Sequence, residues 1–187
     1  ASSTVASLVD PALVIAELQR QLPPDAVITC DAGNFYGWLS RYFRYLRPGT
    51  FLGPTSGAMG YAVPAAVAAA LVRANRVPSV AVAGDGGFLM TGSELAVAAQ
   101  HGLRVTCVVF NNAIYGNIRL HQERAYPGRV AGTSLRSPDF VRYVEAFGGI
   151  GVRVEHNADI ADGVRTVLAH DGIGLLEVAV AEDTISV

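Results

Sequence analysis

Continuous apolar runs separated by helical segments are the feature of this sequence that most restricts its fold. Two runs, PSVAVAG at residues 78–84 and RVTCVVF at residues 104–110, do not alternate regularly between polar and apolar residues. Strands of this kind are buried on both faces, as in parallel sheets covered by helices. Shorter runs at 26–30, 150–154 and 173–180 also alternate with helical patterns. We therefore expect an α/β fold with three layers, α/β/α, around a mostly parallel sheet of about six strands.

Helical patterns fill the intervals between these runs. Their apolar period and end signals predict helices at 11–22, 34–46, 61–72, 91–102, 137–149 and 160–170. Thr91 with Glu94 three residues later has the pattern of a capping box, which would explain Glu94 without a catalytic role. Ser137 before Pro138 predicts the start of a later helix.

Composition and charge exclude several classes of function. The chain has 187 residues, a length that favours one domain, with 51% hydrophobic residues, 16% charged residues and a net charge of −2. The apolar excess predicts a large buried sheet, a large subunit interface, or both. Near-neutral charge without a basic run argues against binding to nucleic acid or to a membrane surface. The longest apolar run, 62–72, is too short to span a bilayer.

The two cysteines predict a reducing environment. Cys30 and Cys107 lie in apolar strand patterns and show no metal-binding spacing, so we expect buried free thiols. No N-terminal signal is visible, and a cytoplasmic location is expected. The four histidines form no visible constellation with other chemical groups.

Polar side chains follow the two long strands at the point where each strand ends. Asp85 stands among three glycines in the sequence GDGG, and Asn111 and Asn112 follow the next strand. Because parallel strands share one carboxyl edge, Asp85 and Asn112 are expected to face the same crevice. Their oxygens suit Mg²⁺ or Ca²⁺ rather than zinc, and Mg²⁺ commonly completes its shell with phosphates and water. With the exposed N–H groups of the glycines, these residues predict a diphosphate held through a divalent cation.

The glycine cluster does not match two common nucleotide-binding motifs. A dinucleotide-binding G-x-G-x-x-G motif would require glycine where Leu89 stands, and no G-K-[ST] sequence is present. A structural alternative is a tight turn in which Asp85 only caps the following helix. The asparagine pair at the second strand end argues against that alternative.

The long motif resembles the thiamine diphosphate signature of the acetolactate synthase and pyruvate decarboxylase family. It consists of Gly84-Asp85-Gly86, 24 further residues and Asn111-Asn112. The sequence SGAMGYAVPAA resembles the family's loop under the cofactor, and GNFYGW resembles its loop on the diphosphate side. The sequence NNAIYGNIRLHQE resembles the end of the motif and the helix that follows it. The resemblance is specifically to the C-terminal, diphosphate-binding domain of acetolactate synthase-like enzymes.

The resemblance implies a thiamine diphosphate site with Mg²⁺. Asp85, the side chain of Asn112 and the backbone carbonyl of Ile114 would bind the metal, and Gly86 and Gly87 would donate N–H groups to the diphosphate. The cofactor-binding positions that the resemblance implies are Gly33, Asn34, Phe35, Gly57, Ala58, Met59, Gly84, Asp85, Gly86, Gly87, Asn112, Ile114, Tyr115 and Gly116.

Met59 and Gly57 are the catalytic contacts that the resemblance implies. Met59 would lie under the cofactor and bend it into its V shape, and backbone groups of both residues would bond the aminopyrimidine edge. The alternative for Met59 is an ordinary core methionine. Phe35 and Ile114 stand where some relatives carry histidine, so histidine roles do not transfer to this chain.

The catalytic glutamate of the family has no counterpart in this sequence. In the family it belongs to a pyrimidine-binding domain that completes the site across a subunit interface. We therefore expect residues 1–187 to be one diphosphate-binding domain, the C-terminal part of a longer three-domain 2-oxo acid decarboxylase or carboligase, and inactive alone.

A start without Met also favours an excised or processed piece. The alternatives are a naturally separate subunit, as in two-chain sulfopyruvate decarboxylases, and a non-catalytic scaffold, against which the intact Asp85 and Asn112 pair argues. The expected partners are a pyrimidine-binding domain, further copies of the chain in a dimer or tetramer, and a small 2-oxo acid.

Overall fold

The computed structural model describes residues 9–181 and contains one six-stranded sheet. Its strands are β1 Val27–Cys30, β2 Phe51–Leu52, β3 Ser79–Gly84, β4 Val105–Asn111, β5 Ile150–Val154 and β6 Ile173–Ala179. Every pairing is parallel, and the order is β2-β1-β3-β4-β6-β5. The expected α/β fold is confirmed, while the edge strand β2 was not predicted. The ends of the expected domain, 1–8 and 182–187, lie outside the described residues.

The described residues form eight α-helices, of which the first precedes β1 and the others lie between strands. They are α1 Pro11–Gln21, α2 Tyr36–Tyr42, α3 Ala62–Val72, α4 Asp85–Thr91, α5 Leu95–Gln100, α6 Gly116–Ala125, α7 Phe140–Glu145 and α8 Ile160–Ala169. Short 3-10 turns occupy Gly92–Glu94 and Asn157–Asp159. Within residues 9–181, every helix falls short of the length and apolar character needed to cross a membrane.

A hydrophobic core lies on each face of the sheet. Val80 and Val82 of β3 face the core shared with α1, α2 and α8, whereas Ala81 and Ala83 face the core shared with α3, α4, α5 and α7. Both faces of the central strand are therefore buried, which explains its uninterrupted apolar sequence. The three-layer architecture follows from this two-sided burial.

Both cysteines are buried and free, as expected. Cys30 belongs to the first core and Cys107 to the second. Burial raises the pKa of Cys107 to about 12, so this thiol stays protonated and unreactive.

The capping box expected at Thr91 and Glu94 is wrong. Helix α4 begins six residues earlier, at Asp85, and the 3-10 turn carries the chain directly from α4 into α5. No fresh helix start exists at Thr91, whose side chain makes no capping bond. The Glu94 side chain is exposed and caps nothing.

The start expected at Ser137 and Pro138 is also displaced. Helix α7 begins at Phe140, and Asp139 caps it by accepting a hydrogen bond from the Arg142 N–H at 3.1 Å. The Ser137 hydroxyl instead donates to Asp85, at 3.4 Å. The Ser137 side chain therefore makes a long-range hydrogen bond, whereas the sequence predicted that it caps the helix that follows it.

Two glycines let α8 pack closely on the sheet. A Cβ atom added to Gly174 would lie 2.6 Å from the carbonyl oxygen of Val167, and one added to Gly163 would lie 2.8 Å from a methyl group of Val154. Neither position has room for a side chain, and at Gly174 the obstacle is backbone that cannot rotate away.

Replacing Gly174 with alanine should therefore lower the free energy of unfolding by about 1–3 kcal/mol, because the added methyl group overpacks the interface between α8 and β6. The matched control is Gly172→Ala, where the new atom would meet only the His170 ring, at 3.1 Å. Urea denaturation measures both variants. Equal unfolding free energies for Gly174→Ala and Gly172→Ala would contradict this account of the packing.

Candidate cofactor site at the carboxyl edge of the sheet

The carboxyl ends of β3 and β4 meet at one cleft. Gly84 pairs with Phe110 across these strands, and the N–H of Ala113 donates to Asp85 Oδ2 at 2.9 Å. The expected proximity of Asp85 to the asparagine turn is therefore observed. Of the predicted cofactor positions, those that line the cleft are Gly33, Asn34, Phe35, Met59, Gly84, Asp85, Gly86, Gly87, Asn112, Ile114, Tyr115 and Gly116.

Asp85 is a buried carboxylate without a cationic partner among the described residues. Its side chain is 2% exposed, and it accepts hydrogen bonds from the N–H groups of Gly86 and Ala113 and from the Ser137 hydroxyl. Burial raises the pKa of Asp85, and these three hydrogen bonds oppose that shift. A cation bound beside the carboxylate would offset the cost of burying its charge.

The turn after β4 presents oxygen atoms beside Asp85. Asn112 Oδ1 accepts from the Ile114 N–H at 3.3 Å, and Ala113 adopts a positive φ of 57°. Residues 113 and 115 hydrogen-bond to the segment 133–135, which braces the turn. No described N–H donates to the Ile114 carbonyl. The turn therefore offers one side-chain oxygen and one backbone oxygen of the kind that Mg²⁺ prefers.

The glycines of α4 permit close contacts on both sides of the cleft floor. A Cβ atom at Gly86 would lie 2.4 Å from the Tyr115 ring, and one at Gly87 would lie 2.2 Å from Asp31 Oδ2. The Gly86 N–H donates to Asp85 Oδ1 at 2.9 Å. The Gly87 N–H, by contrast, makes no hydrogen bond within the site.

The loop that contains Met59 lies beside the cleft, and Asp31 holds it there. Asp31 follows β1 at the same edge of the sheet, is buried, and accepts hydrogen bonds from the N–H groups of Gly60 and Ala62. The Ala58 carbonyl also accepts from the Ala32 N–H, at 3.2 Å. Sequence reasoning missed Asp31, although the rule that found Asp85, a polar residue directly after a buried strand, applies equally to it.

Gly57 and Ala58 do not line the main cleft. Gly57 has a positive φ of 66° and lines an adjoining pocket together with Asp31, Tyr36 and Phe51. Neither the Gly57 carbonyl nor the Met59 N–H is hydrogen-bonded to another described residue. These backbone groups are the ones expected to bond an aminopyrimidine edge.

One buried donor in the cleft wall has no partner within the described residues. Asn34 Nδ2 is enclosed and makes no hydrogen bond, although its residue lines the cleft. Buried donors without partners are rare and costly. Three features of the cleft fit a bound diphosphate and a hard divalent cation. They are the unpaired donor of Asn34, the close approach of backbone at Gly86 and Gly87, and the oxygens of Asp85, Asn112 and Ile114.

Further cleft residues were not singled out from the sequence. They are Pro11, Ala32, Trp38, Phe110, Asn117, Ile118 and Val180. Phe110 stacks on Phe35, with ring centroids 6.1 Å apart. None of the four histidines lines the cleft, and the described residues contain no cluster of three His, Cys, Asp or Glu side chains suited to a metal.

Comparison with known proteins identifies relatives of the whole chain. The acetolactate synthase of Bacillus subtilis is 33% identical over 172 residues, which is 91% of this chain and 30% of the relative. The sulfoacetaldehyde acetyltransferase of Alcaligenes xylosoxydans xylosoxydans is 31% identical over 166 residues, which is 88% of this chain and 27% of the relative. The chain thus spans between a quarter and a third of the length of these relatives.

Solved structures share the fold. The thiamine diphosphate-dependent 4-hydroxybenzoylformate decarboxylase of Rhodococcus jostii RHA1 superimposes with a TM-score of 0.88 at 27% identity, over 98% of this chain and 35% of that structure. The family described as "Thiamine pyrophosphate enzyme, C-terminal TPP binding domain" matches residues 31–178. Thiamine pyrophosphate is thiamine diphosphate under another name, and this chain belongs to that family of cofactor-binding domains.

Proposed function

We propose that this chain binds Mg²⁺ and the diphosphate of thiamine diphosphate, and forms half of the active site of a 2-oxo acid decarboxylase or carboligase that resembles acetolactate synthase. The observation that carries the proposal is Asp85, a buried carboxylate with no cationic partner in the described residues, next to the oxygens of the Asn112 turn. Membership in the thiamine pyrophosphate family supplies the identity of the cofactor.

Each group of the cleft then has a defined task. Asp85, Asn112 Oδ1 and the Ile114 carbonyl would hold the metal, and Gly87 and Asn34 would donate hydrogen bonds to the diphosphate. Met59, on the loop held by Asp31, would support the cofactor from below, and Gly57 would contact its aminopyrimidine. When bound, thiamine diphosphate supplies the carbanion chemistry needed at a 2-oxo acid, and this chain's residues bind and orient it.

Apart from the phenol of Tyr115, the described residues that line the cleft offer one group for proton transfer, the carboxyl of Asp85. Asp85 is its only lining carboxylate within the described residues, and both oxygens of Asp31 in the adjoining pocket accept backbone N–H bonds. No residue of α6, which begins at the cleft, is buried. These features support a site that a pyrimidine-binding domain completes.

We further propose that the chain is one domain, the C-terminal third of a longer three-domain enzyme in the cytoplasm. Its coverage of between a quarter and a third of each relative and its buried free thiols support this. A separate subunit of a two-chain enzyme is the alternative. A non-catalytic scaffold is disfavoured, because a scaffold has no use for an uncompensated buried carboxylate.

Replacing Asp85 with alanine should abolish Mg²⁺-dependent binding of thiamine diphosphate, with a loss of at least about 100-fold in affinity, because a direct metal ligand matters more than its supporting groups. The fold should remain about as stable as wild type, because removing a buried charge without a cationic partner offsets the loss of the three hydrogen bonds that Asp85 accepts. Calorimetry on the intact protein that contains this chain measures the affinity, and urea unfolding without metal measures stability.

Asp171→Ala is the matched control for this test. Asp171 is an exposed carboxylate paired with Arg104 at 3.4 Å, outside the cleft. Its replacement should leave cofactor affinity unchanged. Wild-type affinity in Asp85→Ala would refute the metal assignment.

The chain of 187 residues by itself should show no 2-oxo acid decarboxylation or carboligation, even when saturated with Mg²⁺ and thiamine diphosphate. General-base assistance of about 10²- to 10⁴-fold is missing, and the open half-site admits water. Deuterium exchange at the thiazolium carbon, followed by NMR with and without a pyrimidine-binding domain, measures this. Fast exchange in the chain alone would reveal a base within it.

The chain should also self-associate, since apolar side chains remain on its surface. The most exposed of them are Leu46, Leu71, Val72, Met90 and Tyr126. Exposed apolar surface of this kind is typical of interfaces when it is contiguous. Sedimentation velocity should detect dimers or tetramers at micromolar concentration, and a monomer throughout the concentration series would contradict the proposal.

A further inference from the structure

A second buried carboxylate, outside the cofactor motif, lies in the last strand. Glu177 belongs to β6, where it pairs with Val109 of β4 and Arg153 of β5, and its residue is 1% exposed. Burying a charge on a two-sided sheet costs free energy unless the charge is paired and hydrogen-bonded. Neither the cleft nor the sequence motif accounts for this residue.

Three donors satisfy the two oxygens of Glu177. The Arg153 guanidinium donates to Oε1 at 2.8 Å and to Oε2 at 3.0 Å in a forked arrangement. The third donor is Asn111 Nδ2, 2.7 Å from Oε1. The Arg153 side chain is 46% exposed, so the pair is buried on the side of Glu177 and reaches solvent on the side of Arg153.

The oxygen of the Asn111 side-chain amide reaches the turn that follows β4, residues 112–114. Because these residues include two of the proposed metal ligands, we call this turn the metal turn. Asn111 Oδ1 accepts from the Ala113 N–H at 3.2 Å, and the same N–H donates to Asp85 Oδ2 at 2.9 Å. Because an ionised carboxylate is only an acceptor, Glu177 requires Asn111 to present its amide nitrogen. The amide oxygen must then face Ala113, so the charge of Glu177 determines the orientation of the whole side chain.

We propose that Glu177, held by Arg153, is a positioning residue for the metal turn: it orients Asn111, and through Asn111 it positions Ala113 against Asp85 and sets the place of Asn112. This inference rests on the proposed function, because it assigns the turn to metal binding. A purely stabilising role for the Glu177–Arg153 pair explains its presence less well. Apolar residues of similar volume often stabilise a buried position as well as an ion pair does.

The variant that tests the proposal is Glu177→Gln. Glutamine keeps the shape but replaces one acceptor oxygen with a donor, so Arg153 loses at least one of its two hydrogen bonds. Asn111 either loses its acceptor or keeps a neutral one, which binds it more weakly than a carboxylate does. We expect Mn²⁺, used as a spectroscopic substitute for Mg²⁺, to bind about tenfold more weakly at saturating thiamine diphosphate, the lower end of effects seen for groups that orient metal ligands. Electron paramagnetic resonance of free Mn²⁺ measures this in the intact protein that contains the chain.

The matched control is Asp162→Asn. It also converts a carboxylate to an amide and removes an arginine pair, Arg165 to Asp162 at 2.7 Å, but both side chains are exposed on α8. Its Mn²⁺ affinity should equal wild type. If Glu177→Gln lowers the unfolding stability and leaves Mn²⁺ affinity unchanged, Glu177 is merely structural and the proposal is overturned.

A double variant tests whether Glu177 acts through Asn111. Asn111→Ala keeps the Glu177–Arg153 pair and should by itself weaken Mn²⁺ binding. It replaces Glu177→Gln as the test variant if Glu177→Gln fails to fold. Adding Glu177→Gln to Asn111→Ala should produce no further loss of affinity. Additive losses, or wild-type affinity in Asn111→Ala, would overturn the proposed route.

A measurement without metal separates this inference from the proposed function. Amide hydrogen exchange in the metal-free protein should become faster at residues 112–115 in Glu177→Gln, and should stay at the wild-type rate in Asp162→Asn. Wild-type protein that binds no Mn²⁺ would refute the proposed function, whereas unchanged exchange at 112–115 would overturn the positioning role.

Discussion

The parallel direction of all six strands is the constraint on which the rest of this structure depends. Parallel strands end at one edge, so every segment that follows a strand begins on the same side of the molecule. Asp31 after β1, Asp85 after β3 and Asn111 at the end of β4 are consequently brought together although they are far apart in sequence. Burial of both sheet faces leaves this edge as the place where polar side chains can gather.

Three buried carboxylates at or near this edge are stabilised in different ways. Asp31 is satisfied by the backbone N–H groups of the loop that it holds, and Glu177 by the guanidinium of Arg153. Asp85 has hydrogen bonds but no positive partner among the described residues, although burial raises its pKa. Burial raises the pKa of Asp31 as well, so Asp85 is distinguished by its place in the cleft beside Asn112. A metal bound there would restore the stability that a charge without a countercharge costs.

The described residues that line the same cleft include one carboxylate, Asp85, and no histidine. Its oxygen ligands, tight glycine contacts and the orphaned amide of Asn34 are groups that hold and orient. Helix α6 begins at the cleft, and none of its residues is buried among the described residues. A site of this composition fits a division of labour in which one domain positions the cofactor and another supplies the base and excludes water.

The amino-acid sequence by itself determined the fold class and the strand-end motif, because continuous apolar runs and the spacing of Asp85 from Asn112 are local patterns. It misassigned Ser137 and Thr91, since a local capping pattern does not reveal that Ser137 bonds Asp85 or that α4 already begins at Asp85. The roles of Asp31 and Glu177 were decided only by the tertiary structure. Their partners, Gly60 and Ala62 for one and Asn111 and Arg153 for the other, lie 24 to 66 positions away, and only the packed sheet brings them within hydrogen-bonding distance.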